Sequence, residues 1–214
     1  MKTSIAAIVF ILLSAFVFFT GCNKPQNNTE KQKSDTTKTV TRTQSDAGMD
    51  MMTSMSSMMK DMKSVKMTGD YDIDFASMMI EHHKGAIEMA EIELKSGKDE
   101  KLRAMANTII SKQKEEISKL EDFVKTNKPV ASGKMDLMSS MKEMNDMMMN
   151  MKMYNDPDKD FASMMILHHQ GAIMMQEKEI ANGKNQEIKK MSKESMNDQK
   201  KEITEFQAWL NSKK

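Results

Sequence analysis

The sequence is poor in most of what builds an ordinary small domain. One cysteine in 214 residues excludes an internal disulfide framework and any zinc site built on cysteine. Three prolines and eight glycines argue against a turn-rich all-β protein. Lys and Arg total 32 against 31 Asp and Glu, so there is no bulk positive charge to hold a nucleic acid, and none is expected as a partner. Leucine is scarce. The residue in excess is methionine, 28 in all; Met1 apart, twelve lie between positions 49 and 105 and fifteen between 135 and 196. Methionine is flexible and specifies packing poorly, so its accumulation calls for a reason other than a core.

Only one long apolar run occurs, Ile5 to Phe19, behind the basic Lys2. It is short for a spanning helix and sits where the core of a secretory signal sits. Phe19-Thr20-Gly21-Cys22 follows and resembles a bacterial lipoprotein signal. That resemblance implies cleavage before Cys22, lipidation of its sulfur, and an exported, membrane-anchored protein, periplasmic or on the cell surface. The alternative is an uncleaved anchor with an incidental cysteine; either way the remaining chain lies outside the cytoplasm. The expected organisation is a signal peptide over 1–21, a flexible tether over 22–48 with too few apolar residues for a core, and two repeats, 49–127 and 132–214.

The repeat is explicit. Asp74-Phe-Ala-Ser-Met-Met-Ile-Glu-His-His-Lys-Gly-Ala-Ile returns as Asp160-Phe-Ala-Ser-Met-Met-Ile-Leu-His-His-Gln-Gly-Ala-Ile, an offset of 86 that holds without a gap to the C-terminus. This period is too long for a solenoid and suits a duplicated helical hairpin. Each copy reads as three helices: a Met-rich one (about 49–67 and 135–153), one ending at Ser96 or Asn182, and one running from about Asp99 or Asn185. In the Met-rich helices Met52, Met55, Met58 or Met59 and Met62, and Met138, Met141, Met144 and Met148, recur at spacings of three and four, a helical stripe. Asp74 and Asp160 are candidate N-caps or first-turn residues. Gly97 and Gly183 follow the second helices, where glycine commonly ends a helix. The fold expected is all-α, a four-helix bundle from two hairpins, with the Met-rich helices added.

At 100° per residue from His82, Met78 falls at about −40°, Met89 at about −20°, Met79 at about +60° and His83 at about +100°. Both histidines lie on the apolar arc, and their 100° separation makes chelation of one small ion by both difficult. Each has a methionine one turn earlier, Met78 for His82 and Met79 for His83; Met164/His168 and Met165/His169 repeat the arrangement. Side chains four apart are neighbours on a helix. On the third helices Gln113 and Gln199 are polar residues centred on an apolar stripe. Counted from the turn, Gln113 is level with His82 and Gln199 with His168, while Met89 faces Met105 and Met175 faces Met191. The glutamine amide oxygen could accept an imidazole N–H and orient the ring.

A purely structural bundle would explain methionine stripes, but four buried histidines cost free energy unless paired. Thioether plus neutral imidazole selects Cu(I), and by the same softness Ag(I), over hard cations, and thioethers persist where thiols are oxidised. The candidate metal ligands are therefore Met78, Met79, His82, His83, Met89, Met105, Met164, Met165, His168, His169, Met175 and Met191. The function expected is copper sequestration or buffering that contributes to copper tolerance, without enzymatic activity. A di-iron oxidase needs Glu-x-x-His pairs, and positions 79 and 165 are methionines. The other alternative is an interaction module that uses methionine stripes as a packing surface with no metal role.

The paired-histidine motif, the Gly-Lys turn and Gln113-x-x-Glu116-Ile117, with Gln199-x-x-Glu202-Ile203, resemble the DUF305 family of bacterial exported proteins over about 70–212. The resemblance implies a ferritin-like four-helix bundle, with periplasmic copper binding and resistance in some members. It carries His82, His83, His168 and His169 over as functional positions with neighbouring methionines as ligands.

Overall fold

The computed structural model describes residues 44–131 and 137–213; Cys22, the signal and most of the tether lie outside them. Six helices follow in order: α1 (Gln44–Ser64), α2 (Tyr71–Ser96), α3 (Glu100–Thr126), α4 (Leu137–Met149), α5 (Pro157–Asn182) and α6 (Gln186–Ser212). The protein is all-helical in the described residues, as the periodicity predicts, and no described helix is long and apolar enough to cross a membrane. α1 starts inside the stretch read as tether: Ala47 is buried, and a Cβ at Gly48 would meet the Asp160 carboxylate.

Caps fix the helix starts. Asp70, Asp99, Asp156 and Asn185 each accept backbone N–H bonds from the first turn of α2, α3, α5 and α6, satisfying donors that have no intrahelical partner. Asp74 and Asp160 are buried first-turn residues instead. Asp74 accepts from Thr68 N and Oγ1 and from Gly69 N at 2.7–3.0 Å, and Asp160 accepts from Tyr154 N and Asp156 N at 2.7 and 3.2 Å. These turns need a left-handed residue, supplied by Gly69 (φ 82°) and, at the equivalent place, Asn155 (φ 55°).

α2 and α5 carry most of the buried residues and form the centre, keeping only a narrow polar face that in α2 holds Lys84, Glu88, Glu91 and Lys95. They run antiparallel. Asp158, at the start of α5, accepts from Lys98 N and Asp99 N in the α2–α3 turn, both at 2.9 Å. Asp72, at the start of α2, accepts from Lys184 N and Asn185 N in the α5–α6 turn at 2.9–3.1 Å. The two repeats are thus related by a pseudo-twofold axis and cap each other's turns.

α3 packs on α2 and α6 on α5 through one stripe each: Leu102, Ala106, Ile109, Gln113 and Leu120, matched by Ile188, Ser192, Ser195, Gln199 and Phe206. The Met-rich helices cover the opposite face of α2 and α5. Met51, Met55, Met58 and Met62 of α1 are core residues, joined by Met144 of α4. Glycine permits this docking: a Cβ at Gly85 would stand 2.9 Å from Met58 Cβ, Cγ and Sδ, and one at Gly171 would strike the Met144 sulfur. The glycine after each His-His pair is therefore a notch for a methionine.

Candidate metal centre

The four histidines meet at the pseudo-twofold axis. His82 and His168 are fully buried, with ring centroids 3.8 Å apart and planes inclined by 42°. His83 and His169 lie further out on the same helices, their centroids 6.3 and 5.9 Å from His82 and His168. This separation follows from the 100° step between adjacent helical residues. The pairs divide by direction, His82 and His168 toward each other, His83 toward α3 and His169 toward α6.

His83 Nε2 lies 2.8 Å from Glu116 Oε2, and His169 Nε2 lies 2.8 Å from Glu202 Oε2. His168 Nε2 lies 2.9 Å from the His82 carbonyl oxygen. Carbonyl and carboxylate oxygens only accept, so in His83 and His168 Nε2 carries a proton, whereas His169 Nε2 lies close to Glu202 without the alignment of a hydrogen bond. Nδ1 of His83 and of His168 has no hydrogen-bond partner, nor has either nitrogen of His82 or His169. Burial pushes the His82 and His168 imidazoles well below the ordinary histidine range, and the neighbouring histidines add to the shift. Both rings are neutral at pH 7, the form that binds a metal.

The glutamines do not act as the sequence spacing implied. Gln113 Oε1 and Gln199 Oε1 are buried without a partner, and Gln199 Nε2 donates to Ser195 Oγ at 3.4 Å. The groups nearest the outer imidazoles are Glu116 and Glu202, one turn further along, where a side chain of the same length ending in an anion lies 2.8 Å from the ring Nε2. The sequence held a signal for them: Glu116 lies about 60° from Gln113 around the helix, at the edge of the apolar stripe, where an unpaired acid would be costly. Burial would raise the Glu202 carboxyl, but His169 and Lys112 outweigh it and hold it below the ordinary range.

The methionines divide. Met78, Met79, Met89, Met164, Met165 and Met175 are buried on α2 and α5. Met105 and Met191 are half-buried and line two clefts between α3 and α6; the one beside Met105, about 300 Å³, also touches Lys112, Asp198 and Glu202. Among the described residues no three His, Cys, Asp or Glu side chains converge as a metal cage. An ion held here would need thioether donors besides the imidazoles, which is the donor set of a soft ion.

The chain matches the family model described as a domain of unknown function, DUF305, over residues 23–124 and again over 72–210. No curated protein matches it. Solved structures of CopM are similar. The Cu(I)-bound form is 29% identical, with a TM-score of 0.52 over 66% of this chain and 96% of that one. The Ag-bound form obtained by soaking is 28% identical, with a TM-score of 0.52 over 66% and 95%. The Cu(II)-bound form is 28% identical, with a TM-score of 0.53 over 67% and 97%.

Proposed function

We propose, from the premise that this chain belongs to the DUF305 family, that it binds Cu(I), and by the same chemistry Ag(I), and buffers copper outside the cytoplasm. The observation that carries this reading is the orphaned donor set. His82 Nδ1 and Nε2, and Nδ1 of His83, His168 and His169, are buried lone-pair sites or donors with no protein partner, among methionines one turn away. An unpaired buried polar atom costs about 1–3 kcal/mol, and a soft cation satisfies several at once while exchanging no proton with the thioethers. The CopM structures with Cu(I), Cu(II) and Ag bound support the same chemistry. The protein has a carrier's role and no catalytic one, and a lipid on Cys22 holds it at the membrane.

The test is anaerobic competition of residues 23–214 against a Cu(I) chelator, with a variant lacking all four histidines alongside. Withdrawal of copper by the parent and reduced withdrawal by the variant support the histidine site. Equal withdrawal by both removes it. The interaction-module alternative loses the α1 stripe, because Met51, Met55, Met58 and Met62 are core residues and not a free surface.

A further inference from the structure

The two His–Glu pairs are chemically unequal, and the inequality comes from across the repeat boundary. Glu202, whose Oε2 lies 2.8 Å from His169 Nε2 without hydrogen-bond alignment, also receives the Lys112 ammonium on Oε1 at 3.2 Å. Glu116, which holds His83, receives the Ser195 hydroxyl on Oε2 at 3.0 Å. That hydroxyl in turn accepts from Gln176 Nε2 at 3.0 Å. The asymmetry is written in the sequence at the 86-residue offset: Lys112 is replaced by Asp198, Ser195 by Ile109 and Gln176 by Ala90. Lys112 also reaches Asp198 at 3.2 Å, but Asp198 touches no imidazole and its side chain is 44% exposed, against 14% for Glu202.

We propose that Lys112 is a positioning residue that makes the His169 half the weaker of two soft-metal sites, so that the His83 half fills first. The inference rests on the metal binding proposed above. A carboxylate shared with an ammonium is a poorer acceptor for the imidazole N–H. It therefore leaves Nδ1 of His169 less electron-rich than Nδ1 of His83, whose carboxylate receives a neutral hydroxyl. The ammonium, itself 42% exposed, also adds a like charge, partly screened by water, against an arriving cation.

The experiment titrates the mature chain with Ag(I) and follows the four histidine ring signals by ¹H–¹⁵N NMR, beside Lys112→Met and Lys112→Gln. The expected result is that His83 moves with the first ion bound in this layer and His169 with a later one. Both variants tighten the later step by about tenfold and narrow the gap, with unchanged far-UV circular dichroism. Agreement between Met and Gln ties the effect to the charge. The proposal is overturned if His169 moves first, if both rings move together in the parent, or if the gap is the same in both variants. Ring signals that stay still while Ag(I) is taken up would remove the histidines from metal binding altogether, a failure of the parent reading that the parent titration alone reveals.

Discussion

The His82 and His168 rings stack across the pseudo-twofold axis with centroids 3.8 Å apart, although the two residues are 86 positions apart in the chain. Neither ring is protonated at neutral pH, because both are buried and each would place a positive charge beside another. Two neutral imidazoles held this way form the centre on which the rest of the donor set is arranged.

Glu116 and Glu202 set the outer rings, so Glu116→Gln and Glu202→Gln should lower Cu(I) affinity by roughly tenfold or more. The carboxamide keeps the side chain's shape but weakens the acceptor that fixes the Nε2–H form. Competition titration reads the loss, and an unchanged melting transition separates it from misfolding. Affinity equal to the parent would show that the carboxylates do no orienting.

Stability should depend on pH with two opposed limbs. His82 and His168 have folded pKa values below the unfolded 6.5, so their contribution is present above about pH 6.5 and is lost as the pH falls below it. Burial pushes Glu93 up to about 9, the Asp158 carboxyl adding to the shift. Burial likewise pushes Glu179 up to about 8, with Asp72 adding. The unfolded value is 4.5, so the contribution of these two acids is complete below pH 4.5 and disappears as the pH rises through 8 and 9. Thermal melts of the parent beside Glu93→Gln/Glu179→Gln check this. The variant should lose the alkaline decline and keep the acid one.

Gly85→Ala should destabilise the protein more than Gly171→Ala. At Gly85 the new methyl group meets Met58 Cβ, close to the α1 backbone, at 2.9 Å; at Gly171 it meets mainly the Met144 sulfur and Cγ, which a rotamer change can move aside. Alanine gains about 1 kcal/mol of helix propensity at either site, and overpacking costs about 1–3 kcal/mol. Urea denaturation should show Gly171→Ala near neutral and Gly85→Ala clearly less stable. The reverse order would mean that α1 is not docked through Met58.

Replacing Met51, Met55, Met58 and Met62 by leucine should leave the fold intact, since Met-to-Leu exchange in a core usually costs less than about 1.5 kcal/mol per site. Ag(I) uptake at the histidine layer should persist, read from the ring signals. Any fall in total stoichiometry would count the α1 thioethers that take part. Loss of the histidine signals' response would place α1 sulfurs directly in that layer.

The sequence by itself determined the six helices, their duplication and the inward direction of the histidines, because each depends on interactions within a few turns. A 3.6-residue period, caps such as Asp99 and Asn185, and the 86-residue offset are local or repeated patterns, and they survive translation into three dimensions. Tertiary structure alone decided which groups the histidines meet. Gln113 is level with His82 by counting from the turn, yet the imidazole contact on α3 is Glu116 with His83, because helix rotation and charge choose among residues one turn apart. It also decided that Asp74 folds back on its own turn while Asp72 reaches the other repeat, and that Gly85 is a notch for Met58. Above all, the meeting of His82 with His168 and of Lys112 with Glu202 follows from the antiparallel packing of two hairpins. No local pattern encodes that packing, because it is fixed by the burial of α2 and α5 against each other.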